Sequence, residues 1–161
     1  MIQIPAKVEI RHSKLVEVAT VRDLVQTVVD EIYGGLWTDP PVPIGDQDWA
    51  LAWVAVCRET IAGVTLTQDD WIDDLWVHRR YRGAGVGQLL LSRAELEIAE
   101  RGFLTAKLRL VSSNRNAIRF YERSGWSVQR LFPHERFPLE MAEMRKTLGA
   151  RSNSASDMLS G

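Results

Sequence analysis

The sequence predicts a mixed α/β fold of the α+β kind, in which helices cover a central sheet. Three features predict it. A meander of apolar runs fills residues 50–77, amphipathic helical stretches stand on either side of it, and strand–helix units follow through residue 148.

Residues 7–11 alternate, with Val8 and Ile10 sharing a face, and form a short first strand. Over 15–33, Leu24, Val25, Val28, Val29 and Ile32 recur at helical spacing, and Gly34 and Gly35 end that helix. Pro40, Pro41, Pro43 and Gly45 keep 36–48 irregular, and a loop of that length often shapes a binding site. Residues 50–58 and 61–67 are strands joined by a tight turn near Glu59 and Thr60; a turn at Gln68, Asp69 and Asp70 leads to a third strand over 71–77. The next helix runs to Arg101, with Val86, Leu90, Ala94 and Ile98 on its stripe and Leu89 beside it, until Gly102 stops it. Residues 104–111 alternate as a strand. Asn114 caps a helix that runs to Arg123 and is closed by Gly125. The last strands are 126–131 and 139–148. We therefore expect a single domain over 1–148 and a disordered tail over 149–161, which is small and polar with little to bury.

Composition narrows the function. A chain of 161 residues suits one domain that buries about two thirds of its unfolded surface. With 20 Lys+Arg against 21 Asp+Glu, nothing suggests a nucleic-acid partner. The longest uncharged apolar run, 49–57, is far short of the roughly 20 residues a membrane helix needs, so no membrane partner is expected. The start, Met1 to Lys7, lacks the pattern of a secretory signal, and Cys57 has no partner for a disulfide, so a cytoplasmic protein is expected. His12, His78 and His134 are scattered, and no metal-ligand spacing appears. Cys57 reads as a small core residue and His78 as a loop residue.

The most informative segment is Arg79-Arg80-Tyr81-Arg82-Gly83-Ala84-Gly85-Val86-Gly87, set between the strand end Leu75-Trp76-Val77 and a helix start. Glycine lets a ligand approach the backbone, and the first-turn amides of a helix lack intrahelical partners at the positive end of its dipole. Together they make a seat for phosphate oxygens. A P-loop needs Gly-Lys-Ser/Thr, whereas Gly87 is followed by Gln88 and Leu89. A dinucleotide fingerprint needs its third glycine where Gln88 stands, after a strand that opens a βαβ unit rather than one belonging to a meander.

Arg82, Gly85 and Gly87, in the order Arg-x-x-Gly-x-Gly, instead resemble the acyl-CoA pyrophosphate loop of the GNAT N-acetyltransferase superfamily. Downstream, Asn114-x-x-Ala117-x-x-x-Tyr121-x-x-x-Gly125-Trp126 resembles that superfamily's second motif, a strand leading into a short helix that ends in glycine plus an aromatic. The resemblance extends in element order over residues 6–148. It implies a mixed, mostly antiparallel central sheet of roughly six to seven strands flanked by helices. It also implies acetyl-CoA as acyl donor, without a metal, and direct acetyl transfer to a primary amine of a small molecule or peptide. A homodimer is compatible with it.

The resemblance assigns roles by position. The backbone of Leu75, Trp76 and Val77 would bond the pantetheine arm as an added strand would, with the Val77 N–H toward the thioester oxygen. Gly83, Ala84, Gly85, Val86, Gly87 and Gln88 would hold the pyrophosphate beside Arg82. Asn114 and Tyr121 lie two helical turns apart on one face, with small Ala117 between them to let the cofactor pass. Tyr121 would protonate the departing thiolate, a phenol of pKa near 10 serving a thiol of about 8.5; a core tyrosine with a satisfied hydroxyl is the alternative.

The attacking amine must be neutral, yet an alkylammonium is less than about a thousandth neutral at pH 7. Some superfamily members place a carboxylate on the strand after the glycine loop, where this chain has Arg109. Others use the strand before it, which here carries Asp73 and Asp74. Asp73 shares parity with Leu75 and Val77 and ranks first; a bulge would favour Asp74, and two solvated acids with no role is an equal alternative. Convergence of Asp39, Asp46, Asp48, Asp69, Asp70, Asp73 and Asp74 would favour a cationic amine or basic peptide. Trp37, Trp49 and Trp71 line an acceptor pocket or pack the core, and Trp126 fills the motif's aromatic slot. The missing carboxylate at Arg109 keeps open a second function, a non-catalytic acyl-CoA sensor.

Overall fold

The computed structural model describes residues 7–39 and 41–149. The expected tail lies, from residue 150 on, outside the described residues. In chain order the elements are β1 (Glu9–His12), α1 (Val18–Tyr33), β2 (Trp53–Cys57), β3 (Thr60–Gln68), β4 (Trp71–Val77), α2 (Val86–Glu100), β5 (Thr105–Val111), α3 (Arg115–Arg123), β6 (Ser127–Pro133) and β7 (Glu140–Thr147). The strands form one sheet in the order β1-β2-β3-β4-β5-β7-β6. It is the mixed, mostly antiparallel sheet flanked by helices that the motifs imply. No helix among the described residues is long and apolar enough to cross a membrane.

The chain divides into two compact units. One holds the described residues up to Thr67 with Asp73–Ala94; the other holds Gln68–Ile72 with the described residues from Glu95 on.

In the first unit, α1 lays Val21, Leu24, Val25, Val28 and Val29 against Trp49, Ala52, Val54, Val64 and Leu66. Residues 15–17 tighten into a 3-10 turn before α1, where Glu17 takes a bond from the Lys14 amide at 2.8 Å and two from Arg11 at 2.9 Å each. Ile32, expected on the stripe, is 38% exposed, and Tyr33 packs on the core in its place. The helix does not end in a left-handed glycine: Gly34 keeps φ −56 and opens another 3-10 turn. The following loop is irregular but anchored. Val42 is buried, its amide donates to Asp30 at 2.8 Å, and its carbonyl accepts from Gln26 at 2.9 Å.

Strand β2 starts later than expected, because 49–51 form a turn capped by Asp48. It pairs antiparallel with β1 and β3, with a bulge at Ala55/Val56. The β2–β3 turn places Arg58 and Glu59 at φ 47 and 67, the backbone signs of a two-residue hairpin. On α2, Val86, Leu90 and Ala94 are buried as expected, but Leu89 is 43% exposed and Leu91 is buried instead. Residues four apart drift around a helix, and Leu91 lies about 80° from the middle of that drifting stripe against about 120° for Leu89. Cys57 is buried, and burial pushes its thiol up.

In the second unit, β4 and β5 pair in parallel at Trp71↔Lys107 and Ile72↔Leu108. β5 pairs antiparallel with β7 from Thr105↔Thr147 to Val111↔Met141, and β6 pairs antiparallel with β7. The chain therefore passes from β5 through α3 to the edge strand β6 and returns inward as β7. Ala106, Leu108, Ala142 and Met144 are buried along this part of the sheet.

Candidate functional site

Strand β4 offers two different edges. His78 N–H donates to Ala62 at 2.9 Å, and Thr65 Oγ1 donates to the Asp74 carbonyl at 2.8 Å. Peptide groups of that parity face β3, so alternation turns those of Leu75 and Val77 to the other edge. On that side, Trp71 and Ile72 pair in parallel with β5. The Val77 carbonyl accepts from Arg82 Nε at 3.1 Å, and its amide faces the same edge. Gly63 on β3 permits the tight approach: a Cβ there would lie 2.8 Å from Leu90 and 2.9 Å from the Trp76 carbonyl.

After a 3-10 turn at Arg79–Tyr81, capped by His78, the chain enters the glycine loop. Gly83 and Gly85 take φ 79 and 85, which residues with a Cβ rarely adopt, and both face open space. Among the described residues, none accepts a hydrogen bond from the amides of Gly83, Ala84, Gly85, Val86 or Gly87. Five amides at the start of the 15-residue helix α2 thus stand without an acceptor among the described residues. That is the donor set a pyrophosphate requires. The Arg82 side chain is engaged elsewhere: it bonds Glu31 on α1 through both terminal nitrogens, at 3.0 and 2.8 Å, and this holds the Glu31 carboxyl below its ordinary range.

The two acids of β4 have opposite surroundings. Asp73 is exposed. Asp74 is withdrawn from water, with Oδ2 accepting from Gln47 at 3.0 Å and Oδ1 from Trp76 Nε1 at 2.9 Å. Burial, aided by the neighbouring Asp73 charge and opposed by both hydrogen bonds, pushes the Asp74 carboxyl up to about 6. Parity ranks Asp73 first; of the two carboxyls, it is that of Asp74 whose hold on a proton is raised.

The second unit carries the other motif. Asn114 caps α3, its Oδ1 accepting from the Ala117 amide at 3.3 Å. Two turns on, Tyr121 is 8% exposed, its ring edge-on to Phe120 and Trp126 at 5.1 and 5.8 Å. Its carbonyl accepts from Ser124 and Trp126, and Gly125 leaves the helix at φ 93. Trp126 is itself fixed by Nε1 donating to Glu95 at 3.1 Å, and Lys146 holds that same carboxylate at 2.8 Å.

Residues 23–126 match the sequence model of the Acetyltransferase (GNAT) family. The chain belongs to this family. Solved structures show the same fold. A GCN5-related N-acetyltransferase from Rhodopseudomonas palustris is 19% identical, with 91% of this chain and 99% of that one covered and a TM-score of 0.71. The PaiA N-acetyltransferase of Thermoplasma acidophilum, solved with coenzyme A, is 16% identical over 88% of this chain and 99% of its own, at 0.68. YncA of Salmonella typhimurium, solved with acetyl-CoA, is 17% identical over 91% and 96%, also at 0.68. No curated protein matches the sequence.

Around the GNAT motifs, other expected site residues have separate tasks. Asp48 caps a turn, Asp70 pairs with Lys107 at 3.2 Å, Asp69 forms the β3–β4 turn at φ 54, and Asp46 is nearly fully exposed. Trp49 is core, Trp37 packs at its margin, and Trp71 is covered by the cations of Lys107 and Arg109. Arg109 also reaches Glu135 at 3.5 Å and the Phe132 ring. No group of three His, Cys, Asp or Glu among the described residues is arranged to hold a metal. Sequence reasoning missed the roles of the Gln47 and Trp76 side chains. Trp76, two residues from Asp74 on the same strand face, was within reach of alternation; Gln47 carried no signal.

Proposed function

We propose that this GNAT protein moves an acetyl group from acetyl-CoA to a primary amine of a small molecule or peptide, by direct attack while both substrates are bound. The observation that carries the reading is the row of amides from Gly83 to Gly87 with no acceptor among the described residues. Acetyl-CoA, when bound, supplies an activated thioester and a thiol leaving group. Residues 83–88 would hold its pyrophosphate, and Leu75, Trp76 and Val77 would carry the pantetheine arm along the edge of β4. The Val77 amide donates toward the oxygen on which negative charge grows, a contact often worth a few kcal/mol.

Asp74 takes the proton from the acceptor ammonium. With its carboxyl near 6 it is ionised at pH 7 yet far more basic than a solvated aspartate. Tyr121 returns a proton to the leaving thiolate, and Asn114 and Ala117 shape the helix face that presents it. The family match spans parts of both units, which supports treating residues 1–148 as one catalytic domain. A cytoplasmic setting agrees with a single, buried cysteine.

The sensor alternative rests on Arg109, and a desolvated carboxylate at Asp74 weighs for catalysis instead. Thermal shift with acetyl-CoA tests the donor site: ligand at about 100 times its Kd adds nearly 3 kcal/mol. Thiol release from acetyl-CoA with a panel of amines then tests transfer. Binding without release across the panel would favour the sensor; no binding would reject both readings.

A further inference from the structure

We infer that Gln47 is the positioning residue of the base: its side-chain amide reaches from the α1–β2 loop to hold the Asp74 oxygen that Trp76 leaves free. This rests on the assignment of Asp74 as the base.

The two donors differ in origin. Trp76 sits two residues along the same strand, so its bond to Oδ1 forms with β4 itself. Gln47 arrives from 27 residues away, on a loop with no regular structure. Val42 supplies the precision by fastening that loop to α1 through Gln26 and Asp30. A carboxylate with one donor can still swing about the bond to its Cβ. A second donor on the other oxygen fixes the plane, while each oxygen keeps a further lone pair for an incoming ammonium.

The same bond lowers the basicity, adding to the larger effect of the Trp76 bond. Burial and the Asp73 charge favour the protonated acid, while Gln47 and Trp76 favour the carboxylate. Among the described residues, Asp73 is the charged group that acts on Asp74. Without Gln47 the balance tips toward the acid, and a larger share of Asp74 is protonated at neutral pH.

The experiment follows Asp74 directly by carbon NMR of the full chain labelled at aspartate, with its resonance assigned by its loss in Asp74→Asn. No acceptor is needed. Gln47→Leu keeps bulk over the carboxylate and deletes the donor, so the midpoint should rise by about one pH unit. Trp76→Phe should move it in the same direction. Thermal melting of each variant confirms that it is folded. An unmoved or lowered midpoint in folded Gln47→Leu would overturn the inference, since a merely structural glutamine leaves that titration alone. Transfer assays separate the two claims. Full activity in Asp74→Asn would remove the base and with it the role given to Gln47; an inactive Asp74→Asn beside an unmoved midpoint in Gln47→Leu would remove the role of Gln47 alone.

Discussion

The segment 83–87 and the carboxylate of Asp74 lie at the two ends of one strand-to-helix passage, yet they work by different means. The loop acts through main chain. Gly83 and Gly85 reach φ values that other residues rarely adopt, and none of the described residues accepts from the amides of 83–87. The role proposed for Asp74 depends on its surroundings, because burial raises its carboxyl to about 6 while two donors favour its ionised form. The first device needs only local sequence. The second needs a loop folded back from far along the chain.

That contrast predicts separable failures. The largest belongs to Asp74→Asn, which should lower transfer by about a thousandfold while leaving acetyl-CoA affinity unchanged. Equal losses of rate and affinity would break the division. Next comes Tyr121→Phe, with a loss of roughly a hundredfold in kcat at saturating substrates and no change in Kd. Turnover like that of the wild type would remove Tyr121 from the acid role.

The loop should fail the other way. Gly85→Ala forces a Cβ onto φ 85, a left-handed backbone that costs about 1–2 kcal/mol, so acetyl-CoA should bind roughly tenfold more weakly with kcat retained. Calorimetry reads the affinity directly. The smallest effect is that of Arg82→Met. Its pair with Glu31 is partly solvated, at 39% and 32% exposure, so urea denaturation should show a loss under about 1 kcal/mol.

The pH dependence sharpens the comparison. Transfer should rise with pH through a midpoint near 6 as Asp74 ionises. Stability runs the opposite way. The folded carboxyl lies above its unfolded value of 3.8, so its favourable contribution is complete below that value and fades as pH rises toward 6. Asp74→Asn should therefore melt at the same temperature as wild type near pH 4 and at a higher temperature above pH 6.

How much was legible in the sequence follows from the same division. The meander, the two motif helices and the glycine loop could be read because periodicity, Asn114 and the positive-φ glycines act within a few residues. The order of Asp73 and Asp74 could not. Parity says which residues share a face, but which face loses its water depends on the loop that Val42 pins to α1. The exchange of Leu89 for Leu91 has a similar cause, since a stripe of four-residue steps winds around its helix and neighbours decide which flank is covered.

The most direct test of the central claim is an amide NMR titration of the labelled chain with coenzyme A. Gripping of the pyrophosphate by main chain predicts large, saturable shifts at Gly83, Gly85 and Gly87, weakened in Gly85→Ala. Saturable binding that leaves those three amides unmoved would contradict the account.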